Sequence, residues 1–86
     1  MLKVYSKPDC KWCNILKSYL IENNIQYINI DLKDKKNREA RKFMSDMGIK
    51  DIPIMVNGKN IFQGYTTLSK SLFIKDVKKW VSKYAR

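Results

Sequence analysis

The chain has 86 residues, 18 basic against 8 acidic, giving a formal net charge of +10 with a hydrophobic fraction of 44%. That length is expected to form one domain over residues 1–86, with a modest core and no room for a second catalytic module. No apolar run approaches membrane-spanning length and no signal-peptide pattern opens the chain, so the expectation is a soluble protein in a reducing, cytoplasmic setting.

Leu2–Tyr5 reads as a first strand, followed by the polar loop Ser6-Lys7-Pro8-Asp9. Cys10-Lys11-Trp12-Cys13 then holds both cysteines of the chain. From about Lys11 to Asn23 the apolar residues Trp12, Leu16, Tyr19 and Leu20 recur at helical spacing, and Asn23-Asn24 ends the run. A strand feeding a C-x-x-C that opens a helix is the arrangement of a dithiol redox site. The helix N-terminus offers unpaired amide N–H groups and partial positive charge, both of which favour the reactive thiolate. Lys7 and Lys11 flank the first sulfur and push the same way.

Three plainer readings compete with a redox site. Buried structural thiols are usually scattered through apolar runs, whereas Cys10 follows the polar Pro8-Asp9. A structural disulfide closing so short a loop would constrain the unfolded chain little. A closed zinc site needs more ligands than two cysteines and no histidine supply, so a metal would need a second subunit or carboxylates. The redox reading is the strongest of the four.

Gln26–Asp31 reads as a second strand, with Tyr27, Ile28 and Ile30 suggesting burial on both faces. Asp34 is a candidate cap for a helix from about Lys35 to Met47, whose stripe is Ala40, Phe43, Met44 and Met47 and whose stop is Gly48. Ile52–Val56 is a third strand with Pro53 near its start. Asn57-Gly58 signals a hairpin that returns as Lys59–Gln63, and Gly64 breaks that strand. Thr66, Thr67 or Ser69 would cap a last helix reaching about Tyr84, with the stripe Phe73, Val77, Trp80, Val81 and Tyr84. The order β-α-β, helix, hairpin, helix implies an α/β fold. Its four-stranded mixed sheet is flanked by three helices, and its first two strands are parallel.

The lysines fall mainly in Lys33–Lys42 and Lys75–Lys83, on the polar sides of helices whose other sides are apolar. No aromatic residues interleave with a basic stripe, and no zinc-finger or helix-turn-helix spacing is present, so nucleic acid is not the expected partner. The excess charge favours anionic partners by steering without naming them.

Proline cannot donate to a strand ladder, so Pro53 marks either an edge strand or a special turn. In the second reading the Ile52–Pro53 bond is cis and faces the dithiol. The backbone of Ile52 could then pair with an extended cysteine-containing peptide. Gly64, lacking a Cβ, would allow close approach to the same ligand, with Tyr65 as a wall.

Taken together, these motifs resemble the glutaredoxins and the glutaredoxin-like redoxins that serve ribonucleotide reductase. Val4 through Cys13 resembles the family's opening strand and active site. Ile52-Pro53 resembles the end of its Thr-Val-Pro motif, Val56-Asn57-Gly58-Lys59 its hairpin, and Gly64-Tyr65 its ligand loop. The resemblance implies a thioredoxin-like fold. It also implies catalysis by Cys10 as nucleophile and Cys13 as resolving thiol, and ligand contacts at Lys7, Trp12, Ile52, Pro53, Gly64, Tyr65 and Thr66. Glutathione is implied as cosubstrate, with no tightly bound cofactor or metal. Disulfide-containing proteins, ribonucleotide reductase among them, are the implied partners of a monomer. Three positions depart from the family pattern: Asp51 stands where it has threonine, Gln63 replaces a glycine, and Thr66 replaces an acidic residue that holds the amino end of glutathione. Departures of this kind also resemble redoxins recharged by thioredoxin reductase.

Overall fold

The structure is a computed structural model that describes residues 1–64 and 69–85. Its elements run β1 (Lys3–Ser6), α1 (Lys11–Glu22), β2 (Ile28–Asp31), a 3-10 turn (Lys35–Asn37), α2 (Arg38–Asp46), β3 (Ile54–Asn57), β4 (Asn60–Gln63) and α3 (Lys70–Tyr84). This is the order expected from the sequence. The strands form one mixed sheet in the order β2-β1-β3-β4, with β1 parallel to β2 and antiparallel to β3, and β4 antiparallel to β3.

Strand alternation sorts the side chains between two cores. Val4, Met55 and Phe62 pack with Leu16 and Leu20 of α1 and Phe73, Val77, Trp80 and Val81 of α3. Tyr5 and Ile54, next in line on β1 and β3, turn the other way to meet Leu32, Ile49 and Ala40 of α2. The helices therefore cover both faces of the sheet. Leu16 and Leu20 are fully buried, and truncating either to alanine should cost about 2–5 kcal/mol.

Local chemistry sets the helix ends. After α1, Asn24 adopts φ +57°, its N–H donates to the Ile21 carbonyl and the Ile25 N–H donates to the Leu20 carbonyl. After α2, Gly48 at φ +68° repeats the pattern, with Gly48 N–H to Ser45 and Ile49 N–H to Met44. Both are Schellman ends, one closed by asparagine and one by glycine. Asp34 accepts from the Lys36 N–H, as its capping role predicts, but what it caps is the 3-10 turn that leads into α2. Ser69 caps α3 by accepting from Leu72 N–H. Thr66 and Thr67, the other expected caps, lie outside the described residues.

Four details differ from the sequence reading. β2 is not buried on both faces: it is an edge strand, and Ile28 is 46% exposed. Met47 is 52% exposed because it follows the last turn of α2 and leaves the stripe. β3 begins at Ile54, so Pro53 precedes the ladder and its missing N–H costs no strand bond. The hairpin pairs Asn57 with Asn60, which makes Gly58-Lys59 the turn, with Gly58 at φ +62°. Asn57 instead donates its side-chain amide to the Tyr84 carbonyl at 2.7 Å, tying the hairpin to the end of α3.

Candidate active site

The chain leaves β1 at Ser6 and turns through Asp9, at φ +62°, into Cys10. Aspartate is among the few residues that tolerate that left-handed region. Cys10 has extended dihedrals, φ −98° and ψ 109°, so it caps α1 without joining it. Its Sγ accepts the Cys13 N–H at 3.2 Å and its carbonyl oxygen accepts the Asn14 N–H at 3.0 Å. A cysteine here does what serine or aspartate does at other N-caps. No acidic side chain sits in the first turn of α1 to oppose negative charge at the cap.

Cys10 and Cys13 are joined in a disulfide, with Cα atoms 5.2 Å apart. The two sulfurs differ in access: Cys10 is half-buried, whereas Cys13 is 0% exposed. Such a pair can present one sulfur to an incoming partner and keep the other behind it. Lys7 and Lys11 are both exposed near Cys10 in sequence, and the Lys11 ammonium lies 5.5 Å from the centre of the Trp12 ring. Trp12 is half-buried and packs against Phe73 of α3, with ring centres 5.0 Å apart and planes inclined by 48°. It is therefore both a core contact and a neighbour of the dithiol.

The sheet register gathers the other motif residues at the dithiol's end of the strands. Tyr5 is opposite Ile54, and Ile54 is opposite Gln63. The residues that follow β1, precede β3 and follow β4 consequently share one end. The Ile52–Pro53 peptide bond is cis, and Pro53 is buried. A Cβ added to Gly64 would lie 2.5 Å from the Pro53 carbonyl oxygen and 2.6 Å from the Ile52 carbonyl carbon. Gly64 is thus needed for the fit against Ile52-Pro53 itself, a reason the sequence reading did not supply. Tyr65 and Thr66 lie outside the described residues. Of the arginines on α2, Arg41 donates to the Leu32 and Asp34 carbonyls at 2.9 and 2.8 Å, which fixes the loop after β2.

Sequence reasoning missed one polar cluster, at the end of β1 where the chain departs for Cys10. The Ser6 hydroxyl, 1% exposed, donates to the Asn29 side-chain oxygen at 2.7 Å and accepts from the Lys17 ammonium at 3.3 Å. The available signal was Lys17 falling four residues after Cys13, between the buried Leu16 and Leu20. The basic residues Lys3, Lys35, Lys36 and Arg38 line a groove of about 700 Å³ with Tyr5 and Phe43, on the α2 face of the sheet. Among the described residues no three histidine, cysteine, aspartate or glutamate side chains cluster as metal ligands would.

Comparison with known proteins agrees with this geometry. The glutaredoxin family model matches residues 2–61. An uncharacterized glutaredoxin-like 8.6 kDa protein in a rubredoxin operon of Clostridium pasteurianum is 33% identical over 67 residues, which is 76% of this chain and 85% of that protein. The N-acetyl-S-hydroxy-L-cysteine reductase of Bacillus subtilis is 31% identical over 67 residues, 76% of this chain and 70% of that one. Among solved structures, the thioredoxin-like protein BC3987 superposes with a TM-score of 0.70 at 27% identity, covering 93% of this chain and 99% of the other.

Proposed function

This chain belongs to the glutaredoxin family, and from that premise we propose that it is a glutathione-linked dithiol:disulfide oxidoreductase acting on protein disulfides and glutathione mixed disulfides. The observation that carries the reading is the inequality of the two sulfurs: Cys10 is accessible and hydrogen-bonded by a backbone amide, while Cys13 is fully buried one turn behind. In the reduced protein, Cys10 attacks a substrate disulfide as a thiolate, forming a mixed disulfide and expelling one substrate thiolate. Cys13 then gives up its proton and attacks Cys10 Sγ. The Cys10–Cys13 bond forms, the bond to the substrate breaks, and the second substrate sulfur leaves and is protonated. Two electrons pass to the substrate, and the oxidised protein is the form in which the Cys10–Cys13 bond is closed.

Ligand roles follow from position. Lys7, exposed in the loop before Cys10, meets a glutathione carboxylate. The Ile52 backbone pairs with the bound peptide beside buried Pro53, with Gly64 behind both. Trp12 supplies an apolar contact, and Tyr65 and Thr66 carry the remaining ligand contacts that the family resemblance implies. The protein works as a monomer in the reducing cytoplasm, with glutathione as a passing cosubstrate.

A second reading rests on Gln63, which is exposed at the end of β4 where glutaredoxins carry glycine, and on threonine at position 66. These features support a redoxin recharged by thioredoxin reductase and serving ribonucleotide reductase. Losing one charge-assisted hydrogen bond to the glutathione amine weakens a small ligand by about 1.5–3 kcal/mol, roughly tenfold or more. That weakens binding without abolishing it. A third reading, a dimer bridged by metal or a cluster through paired C-x-x-C sites, predicts stoichiometric zinc or iron in the purified protein.

The test supplies NADPH either through glutathione and its reductase or through thioredoxin reductase, with the same disulfide substrate. Turnover in the glutathione arm is the expected result. Turnover in the thioredoxin reductase arm alone overturns the glutathione linkage and leaves the dithiol chemistry intact.

A further inference from the structure

We propose that Lys17, held by Ser6 and Asn29, is a positioning residue whose positive charge promotes the resolving step at Cys13; the inference rests on the dithiol mechanism above. Cys13 is 0% exposed, and a buried thiol resists ionisation because the apolar surroundings disfavour the thiolate. The resolving step nevertheless develops negative charge on that sulfur. The first-turn amides of α1 help Cys10: the Cys13 N–H is already directed at the Cys10 sulfur. A separate source of positive charge is needed behind Cys13.

Lys17 fits by position. Residues four apart on a helix stand one above the other, so Lys17 occupies the turn beneath Cys13 on the side of α1 that faces β1. Its exposure is intermediate, unlike the exposed Lys11 at the start of the same helix. The arrangement that holds it is specific. The Ser6 hydroxyl has one proton, which goes to Asn29 Oδ1 at 2.7 Å. Its lone pairs are therefore what faces Lys17, and the ammonium donates to them at 3.3 Å. Ser6 is 1% exposed and is the last residue of β1, where the chain departs for Cys10. A side chain from β2, another from β1 and a third from α1 thus hold a cation on the helical turn that follows Cys13.

In chemical terms the step is unchanged. The Cys13 proton leaves to solvent, its thiolate attacks Cys10 Sγ, and the substrate thiolate departs. Lys17 remains an ammonium throughout and exchanges no proton; it lowers the barrier by stabilising charge as it appears. Cβ atoms four residues apart on a helix lie about 5–6 Å from one another, and a unit charge at that range in a half-buried setting is worth about tenfold or more in rate.

The experiment forms the mixed disulfide with a chromophoric thiol and follows the release of that thiol in a single turnover. Lys17→Met, which keeps the apolar stem, should slow release about tenfold while leaving the initial attack by Cys10 close to wild type. Lys17→Arg should restore most of the rate, because it keeps the charge. Ser6→Ala should slow release less than Lys17→Met and add little to it in the double variant, since both act through one contact. Should Lys17→Met fail to fold, Lys17→Gln makes the same comparison. Wild-type release by Lys17→Met overturns the proposal, as does an arginine variant as slow as the methionine one, or an equal slowing of both steps. Failure of the wild-type protein to form or resolve a mixed disulfide is a different result, and it overturns the oxidoreductase reading.

Discussion

The Cys13 N–H points at the Cys10 sulfur from 3.2 Å, which makes the nucleophile its own helix cap. A hydrogen bond to a charged group contributes about 1.5–3 kcal/mol, whereas exposed charge pairs contribute up to about 1 kcal/mol and are screened by salt. The backbone should therefore outweigh the exposed Lys7 and Lys11 in favouring the thiolate. The reduced protein should alkylate at Cys10 about tenfold faster near neutral pH than a free cysteine, with less than about a threefold change between 0.1 and 1 M salt. A steep loss of rate with salt would transfer the effect from the amide to the lysines.

The unequal access of the sulfurs predicts unequal variants. Cys10→Ser should be inactive and unreactive to alkylation in the folded state, because Cys13 is wholly buried. Cys13→Ser should still attack, and then accumulate as a mixed disulfide visible by intact mass. With glutathione supplied, it should also retain some single-thiol reduction of glutathione mixed disulfides. Rapid alkylation of folded Cys10→Ser would reverse the assigned roles.

The features legible in the sequence were those carried by local chemistry. The C-x-x-C after a short strand, Gly48 ending α2, and the stripe at Phe73, Val77, Trp80 and Val81 all read directly, because each depends on neighbours within a few turns. The misread features depend on the order of strands in the sheet. The pattern at Tyr27, Ile28 and Ile30 looks buried on both faces, yet β2 lies at the edge, and no local signal says so. Ser6 and Asn29 meet only because β1 and β2 pair in register, Val4 beside Asn29 and Ser6 beside Asp31. The need for glycine at position 64 is likewise set by the backbone at Ile52-Pro53, far away in sequence.

Trp12 joins the site to the core through its tilted ring contact with Phe73, with ring centres 5.0 Å apart. Trp12→Ala should lose roughly 2–3 kcal/mol, less than for a fully buried tryptophan because the ring is half-buried. Denaturant midpoints would measure it. Trp12→Phe should recover most of the stability, since the aromatic contact survives. Equal stabilities for the alanine variant and wild type would show that the ring contact holds nothing together.

Burial pushes the Tyr5 phenol above its ordinary 10.0, and Tyr27 shifts the same way for the same reason. The folded state thus favours the neutral phenol. The resulting stability is fully present below the unfolded-state value and is lost as pH rises through the higher folded-state value. Urea denaturation at about pH 8 and about pH 11 should show a steeper alkaline loss for wild type than for Tyr5→Phe, whose ring cannot ionise. Parallel losses in the two proteins would mean that the decline arises elsewhere.

Gly64 faces backbone on every near side. An added Cβ would meet the Pro53 carbonyl oxygen at 2.5 Å, the Ile52 carbonyl carbon at 2.6 Å and the Pro53 nitrogen at 2.8 Å. None of these is the free end of a flexible side chain, so the cost must be met by shifting the segment before β3. Gly64→Ala should therefore lose about 1–3 kcal/mol of stability, the usual range for overpacking. Because the displaced segment is the one that pairs with substrate in the proposed mechanism, kcat/KM should fall as well, beyond what partial unfolding explains. Gly58→Ala is the control: nothing lies within 4 Å of the new Cβ, but φ is +62°. Its cost should be backbone strain alone, about 1–2 kcal/mol, with activity per folded molecule unchanged. If Gly64→Ala matched wild type in melting temperature and in kcat/KM, the contact between Gly64 and Ile52-Pro53 would not be holding the substrate-facing backbone in place.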